Sequence, residues 1–340
     1  MQNDQRLIQL TQWIQQDWPQ ASIEVASADA SFRRYFRVFN EGETTIAMDA
    51  PPEKEDCAPF IDVTKRLLDA KVHAPKIIRQ DLAQGFLLLE DLGNTPYLDH
   101  LNNTSADPLY ADALQALIKI QQANTQDLPE YNADFLMLEM QYMPEWFLQV
   151  HLNIKPNTEQ TNTINRCLNN IVTKVLEQPQ VFVHRDYHSR NLMITSDGNP
   201  GVIDYQDAML GPVTYDLASL LRDCYVEWPN DQVEAWVLDF KRLLEHSDSL
   251  SNIGDKNISD ETFIEWFDYM GLQRHIKVLG IFSRLNHRDG KANYLDDLPL
   301  TLEYMMRVAQ KYEDTRPLCE LFNEWNISQQ IAELVDVVKT

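Results

Sequence analysis

Apolar residues change their spacing partway along the chain. Residues 3–18 carry Leu7, Leu10, Ile14 and Trp18 at helical intervals, and Pro19 predicts the end of that helix. Three short segments rich in β-branched and aromatic residues follow: SIEVAS (22–27), FRRYFRVFN (32–40) and TTIAMDA (44–50). Asn40, Glu41 and Gly42 predict a hairpin turn between the last two. Phe60, Val63, Leu67 and Leu68 predict a helix over 56–70, and KIIRQ (76–80) and FLLLEDLG (86–93) read as two more strands.

Helical spacing then takes over. Segments 97–101, 109–123, 133–152 and 160–177 are mainly helical in pattern. VFVHRD (181–186) is a short apolar strand running into a polar loop. NLMIT (191–195) and PGVIDY (200–205) read as a hairpin turned by Ser196, Asp197, Gly198 and Asn199. Further helices are predicted near 213–224, 230–246, 260–285, 299–313 and 328–338, with 247–260 as a loop. The expected class is α+β: a small β-rich N-terminal lobe over 1–93, then a larger helical lobe over 94–340.

Composition narrows the choice of partner. The chain has 340 residues, 44% of them hydrophobic, enough for one large or two modest domains. The net charge of −23 argues against a nucleic acid or an anionic membrane as partner, since phosphates would be repelled. A nucleotide is still compatible, because magnesium and a few local cations can outweigh the global field at a pocket. Cys57, Cys167, Cys224 and Cys319 are scattered and form no CxxC unit, so buried free thiols in a reducing compartment are expected. The polar N-terminus lacks the layout of a signal peptide, and no apolar run reaches the roughly 18 residues of a membrane span. A cytoplasmic location follows, with no obligate protein partner evident.

The segment His184-Arg185-Asp186-Tyr187-His188-Ser189-Arg190-Asn191 carries the chemistry. Phosphoryl transfer from ATP to a hydroxyl needs a base facing that hydroxyl and oxygen ligands for magnesium. Asp186 can be the base and Asn191, five residues on, a metal ligand. Val202-Ile203-Asp204-Tyr205 brings a second hard-cation ligand, Asp204, to the end of an apolar strand. These residues in this order, with a β-rich lobe upstream, predict an ATP- and Mg2+-dependent kinase.

HRDYHSRNLMI followed by VIDYQDAMLGPVTYDLASLLRD resembles the aminoglycoside phosphotransferase family of kinase-like enzymes. The resemblance implies a bilobal protein-kinase-like fold with its active site between the lobes. It makes Asp186 the base, Asn191 and Asp204 the magnesium ligands, and LLLEDLG (87–93) the interlobe hinge. Glu90, Asp91 and Leu92 would hold adenine, and Asp216 would accept hydrogen bonds from the backbone of the Asp186 loop. AMDAPPEKED (47–56), EWF (145–147), GPVTYDLASLLRDCY (211–225) and QRHIKVLGIFSRL (273–285) are similar to a narrower branch. That branch phosphorylates the anomeric hydroxyl of N-acetylmuramate and N-acetylglucosamine in cell-wall recycling. The substrate implied is thus a small amino sugar, and the product an α-1-phosphate.

One departure stands out. Kinase-like folds carry a lysine on the third strand, and here Thr45–Asp49 contains no cation. Arg33, Arg34, Arg37 or Lys54 are the substitutes at hand, and Ser31 in the preceding loop offers backbone N–H groups to a phosphate. For the sugar, Arg222, Glu145 and Trp146 are the leading candidates, with Glu139, Arg274, His275 and Arg284 behind them. An arginine suits the lactyl carboxylate of N-acetylmuramate. Each of these side chains also has an ordinary reading as a surface ion pair or a packing residue. Three rival functions remain open: an antibiotic kinase of the same fold, a nucleotide-binding pseudokinase, and a metal hydrolase built on His184, Asp186 and His188.

Overall fold

The computed structural model describes residues 4–28, 32–247 and 258–338. The N-terminal elements are α1 (Gln5–Gln15), β1 (Ser22–Ala28), β2 (Arg34–Asn40), β3 (Glu43–Asp49), α2 (Ala58–Asp69), β4 (Ile77–Asp81) and β5 (Phe86–Glu90). Next come α3 (Ala106–Gln121), α4 (Ala133–Tyr142), α5 (Thr158–Leu176), β6 (Gln180–Val183), β7 (Leu192–Met193), β8 (Gly201–Val202) and β9 (Met209–Pro212). The remainder is helical: α6 (Tyr215–Leu221), α7 (Asn230–His246), α8 (Asp260–Asp289), α9 (Leu298–Lys311), α10 (Arg316–Glu324) and α11 (Ile327–Val338). These elements form two compact units. One holds the residues up to Ser105 together with Arg190–Asp207; the other holds Ala106–Ser189 and the residues from Ala208 onward. The expected division at 93 follows sequence order alone, whereas compactness groups 94–105 and 190–207 with the sheet.

In the first unit five antiparallel strands lie in the order β1-β2-β3-β5-β4. The β2–β3 hairpin turns at Glu41 and Gly42, both left-handed at φ 52° and 88°, as a two-residue turn between twisted strands requires. Helix α1 starts at Asp4, whose side chain accepts the Leu7 N–H at 3.0 Å. Its buried face, Leu10, Trp13 and Ile14, packs with Phe36, Val38, Ala47, Phe86 and Leu88 into one apolar cluster. Strand β5 lies between β3 and β4 and is buried from Phe86 to Leu89, so the chain leaves the sheet's interior at Glu90.

The β7–β8 hairpin is fastened to this unit by backbone. Val202 N–H donates to His73 C=O and Ile194 N–H to Thr95 C=O, both at 2.8 Å. Asn199 Nδ2 donates to Tyr97 Oη at 2.8 Å. Those bonds carry Asn191 and Asp204 to the segment that follows β5.

In the second unit β6 pairs with β9, and α8, 30 residues long, packs against α4, α5, α6, α7 and α9. Strand β6 ends at Val183 and releases the chain into the loop that contains Asp186. Two elements here were not anticipated: β9, whose Gly211 and Pro212 read as turn residues, and α10, only nine residues long. No helix among the described residues is long and apolar enough to cross a membrane.

Candidate active site

A cavity of about 440 Å³ lies wholly within the first unit. Leu89, Glu90, Asp91, Leu92 and Gly93 border it, as do Asn191 and Asp204. Ile46, Met193 and Ile203 add apolar walls, while Phe60 and Tyr205 contribute rings stacked 5.2 Å apart. Tyr205 is fixed in turn by a 2.8 Å hydrogen bond between its hydroxyl and that of Thr64. A slot with apolar walls, a backbone segment along its border and a pair of oxygen ligands suits a nucleotide.

Asn191 and Asp204 face each other. Asn191 Nδ2 lies 3.3 Å from Asp204 Oδ2, and Gln206 Nε2 donates to Asp204 Oδ1 at 2.8 Å. Asp204 adopts a left-handed backbone at φ 64°, a conformation that costs a residue with a Cβ about 1–3 kcal/mol and concentrates at functional sites. One amide oxygen and one carboxylate are hard donors that fit magnesium, whose other positions phosphates and water can fill.

Arg37 also borders the cavity, but its guanidinium is committed. Nε and Nη2 hold the Asp91 carboxylate at 2.7 and 3.1 Å, and Nη2 reaches Gly93 C=O at 2.9 Å. Burial would raise the Asp91 carboxyl; hydrogen bonds from Arg37, Thr44 and the Gly93 N–H outweigh it and hold the group below its ordinary value. Arg37 therefore braces the 90–93 segment. The other substitutes for the missing strand lysine are engaged elsewhere. Arg34 binds Asp4 and the fully buried Asp49, which Arg6 also grips. Lys54 sits 4.4 Å from the centre of the Phe32 ring. Arg33 pairs with Glu55 at 3.2 Å and is not among the residues bordering the cavity. Ser31 lies outside the described residues.

The second unit holds Asp186. Its loop is shaped by Asp216 at the start of α6, which accepts the N–H groups of His184 at 2.7 Å and Arg185 at 3.0 Å. His184 is fully buried, and its Nδ1 accepts the Asp186 N–H at 3.2 Å. No cluster of three His, Cys, Asp or Glu side chains suited to a metal occurs among the described residues. The Asp186 carboxylate is half-buried. Burial would raise it, but His188, Lys277, Arg274 and Arg185 together pull it below the ordinary value, so it is ionised at neutral pH.

Sequence reasoning missed part of this surround. Lys277 binds Glu139 at 2.8 Å and Tyr215 Oη at 3.2 Å. Asp223 holds the far end of the loop through the Ser189 hydroxyl and N–H. Gln273, Arg274, His275 and Lys277 interrupt an otherwise apolar stretch of α8, which marks the stretch but not the partners of Lys277.

The leading sugar candidates fare unevenly. Arg222 is buried, binds Asp268 at 2.7 Å through Nη2 and stacks 4.5 Å from the centre of the Phe267 ring. Glu145 is exposed and Trp146 half-buried, both on a π-helical stretch, Met143–His151, that continues α4. His275 is buried and stacked on Tyr304, and burial pushes its imidazole down to about 3. Arg284 lies 5.0 Å from the centre of the Tyr142 ring. Arg274 instead joins the cations around Asp186.

Comparisons with known proteins agree with this geometry. The chain is 42% identical over 336 residues to an N-acetylmuramate/N-acetylglucosamine kinase of Pseudomonas putida, covering 95% of this chain and 97% of that one. It is 39% identical over 328 residues to a protein of the same name from Neisseria meningitidis, covering 94% and 96%. Among solved structures it shares its fold with a Plasmodium vivax ethanolamine kinase (TM-score 0.62, 11% identity, 84% and 82% covered). It shares it equally with the choline kinase LicA of Streptococcus pneumoniae (TM-score 0.61, 12% identity, 88% and 98% covered). The kinase-like α+β fold expected from the motifs is thus the observed one, and residues 22–251 match a single family over more than half the chain: it belongs to the phosphotransferase enzyme family.

Proposed function

We propose that this protein is an ATP-dependent kinase that phosphorylates the anomeric hydroxyl of N-acetylmuramate and N-acetylglucosamine. The observation that carries the kinase reading is the single cavity bordered by both the 89–93 backbone and the Asn191–Asp204 pair. The sugar is argued from the relatives, which are 39–42% identical over nearly their whole length and carry that substrate in their names.

In this reading the apolar walls hold adenine against the 90–92 backbone. Asn191 and Asp204 hold magnesium, which when bound offsets charge on the transferring phosphoryl group. Asp186, kept ionised by its cationic neighbours, accepts the proton of the anomeric hydroxyl as that oxygen attacks the γ-phosphorus and ADP departs. The products are ADP and the sugar 1-phosphate.

A coupled ADP-release assay with each sugar, with the phosphate position read by phosphorus NMR, tests the substrate. Asp186→Asn should lower kcat by about 10²–10⁴-fold, the usual contribution of a general base. Asp204→Ala should lower turnover and weaken Mg-ATP binding. Full activity in purified Asp186→Asn removes the assignment of the base. ADP release with aminoglycosides but not with either amino sugar removes the substrate.

A further inference from the structure

Glu139 is a carboxylate on the buried face of α4, shared with Leu136 and Met140. Its Oε1 is held by two cations, Arg185 Nη2 and Lys277 Nζ, each at 2.8 Å. Its Oε2 accepts the Tyr131 hydroxyl and lies 3.5 Å from Gln273 Nε2. Burial would raise this carboxyl, yet Lys277 and Arg185 keep it below its ordinary value. A buried ion cluster is poor glue for two helices, because desolvation cancels much of the Coulomb gain and apolar residues of similar size would hold them at least as well. What the cluster holds with unusual completeness is Arg185, the residue before Asp186.

Arg185 has a left-handed backbone, φ 78°, and is tethered through its N–H, its C=O and its guanidinium Nη2. Its N–H donates to Asp216, its C=O accepts Arg274 Nη1 at 3.1 Å, and its guanidinium binds Glu139 while lying 5.4 Å from the centre of the Phe135 ring. Such a conformation persists only where the surroundings over-determine it. The charges facing Asp186 come from several elements: Arg185 and His188 on its own loop, Arg274 and Lys277 on α8. Glu139 on α4 and Asp216 on α6 balance them from behind.

We propose that Glu139 and Lys277 are positioning residues for Asp186: the buried carboxylate anchors Arg185 and Lys277 together, and through them holds the Asp186 side chain in its orientation among those cations. This rests on Asp186 being the base. Glu139→Gln keeps the shape of the side chain and removes its charge. The expected result is a kcat roughly 10²-fold lower with KM for ATP unchanged, as for a misplaced reacting group. Lys277→Met removes a cation that favours the carboxylate, so the acid limb of kcat with N-acetylglucosamine should begin at higher pH than in the wild type. Lys277→Arg should leave that limb in place.

The proposal is overturned if folded Glu139→Gln turns over normally and only melts earlier, or if Lys277→Met and Lys277→Arg share the wild-type limb. Should Glu139→Gln fail to fold, the two Lys277 variants decide alone. Asp186→Asn separates the two claims. If it is inactive while the Lys277 variants are unshifted, only the positioning role falls; if it is active, the reading of the base falls first.

Discussion

Asp216 spends both carboxylate oxygens on backbone N–H groups, at 2.7 and 3.0 Å, and is almost wholly buried. Asparagine there would turn one acceptor into a donor facing a donor. Asp216→Asn is therefore expected to cost about 1–3 kcal/mol, the penalty of leaving a buried polar group unsatisfied, read as a lower urea midpoint at unchanged slope. It should also lower kcat, because Arg185 loses one of its tethers. A variant with wild-type midpoint and turnover would show that the loop holds its own shape. At this scale the chain was partly legible. Asp186, Asn191 and Asp204 stood out because the chemistry proposed for them needs fixed spacing along a local segment. Lys277 could not, because what gives it meaning are residues 139 and 215, which only the folded helices bring to it. The pairing of Arg222 with Asp268 was illegible for the same reason, because only the folded chain brings the two together.

Among the elements, α8 supplies two of the cations around Asp186, Arg274 and Lys277, one helical turn apart on the side that meets Glu139 and Arg185. One turn further on, Gly280 allows α8 to approach the backbone where α4 passes into its π-helical stretch. A Cβ at Gly280 would lie 2.3 Å from Tyr142 C and 2.5 Å from Met143 N. Both are backbone atoms, so the helices must separate to make room. Gly280→Ala should destabilise by about 1–3 kcal/mol, despite the better helix propensity of alanine. Urea unfolding checks this, and an unchanged or higher midpoint would mean the contact gives way freely. The 133–152 helix was foreseen in extent but not in its π form, since one apolar stripe serves either geometry. Strand β9 was missed because segments earlier in the chain, β6 and the bridge at Glu130, make a strand of MLGP.

For the whole molecule, the alternation of strand-like and helix-like spacing was enough to foresee a sheet-based part and a larger helical part. It could not foresee that 190–207 packs with the sheet, because hydrogen bonds to His73 and Thr95, not spacing, decide it. Charge is the remaining property of the whole chain that bears on function. At −23, the protein repels anions at long range, and N-acetylmuramate differs from N-acetylglucosamine by carrying a carboxylate. Close to Asp186 stand three cations, Arg185, Arg274 and Lys277. Added salt separates the two contributions by distance. The screening length falls from about 30 Å at 0.01 M to about 8 Å at 0.15 M, which removes the long-range repulsion while leaving partly buried charges little affected. The KM for N-acetylmuramate should therefore fall as salt rises over that interval, and the KM for N-acetylglucosamine should stay level. The ratio of the two, measured at saturating Mg-ATP, cancels any effect of salt on the nucleotide. A ratio that moves the other way would mean that nearby cations, not the net charge, govern how the acidic sugar arrives.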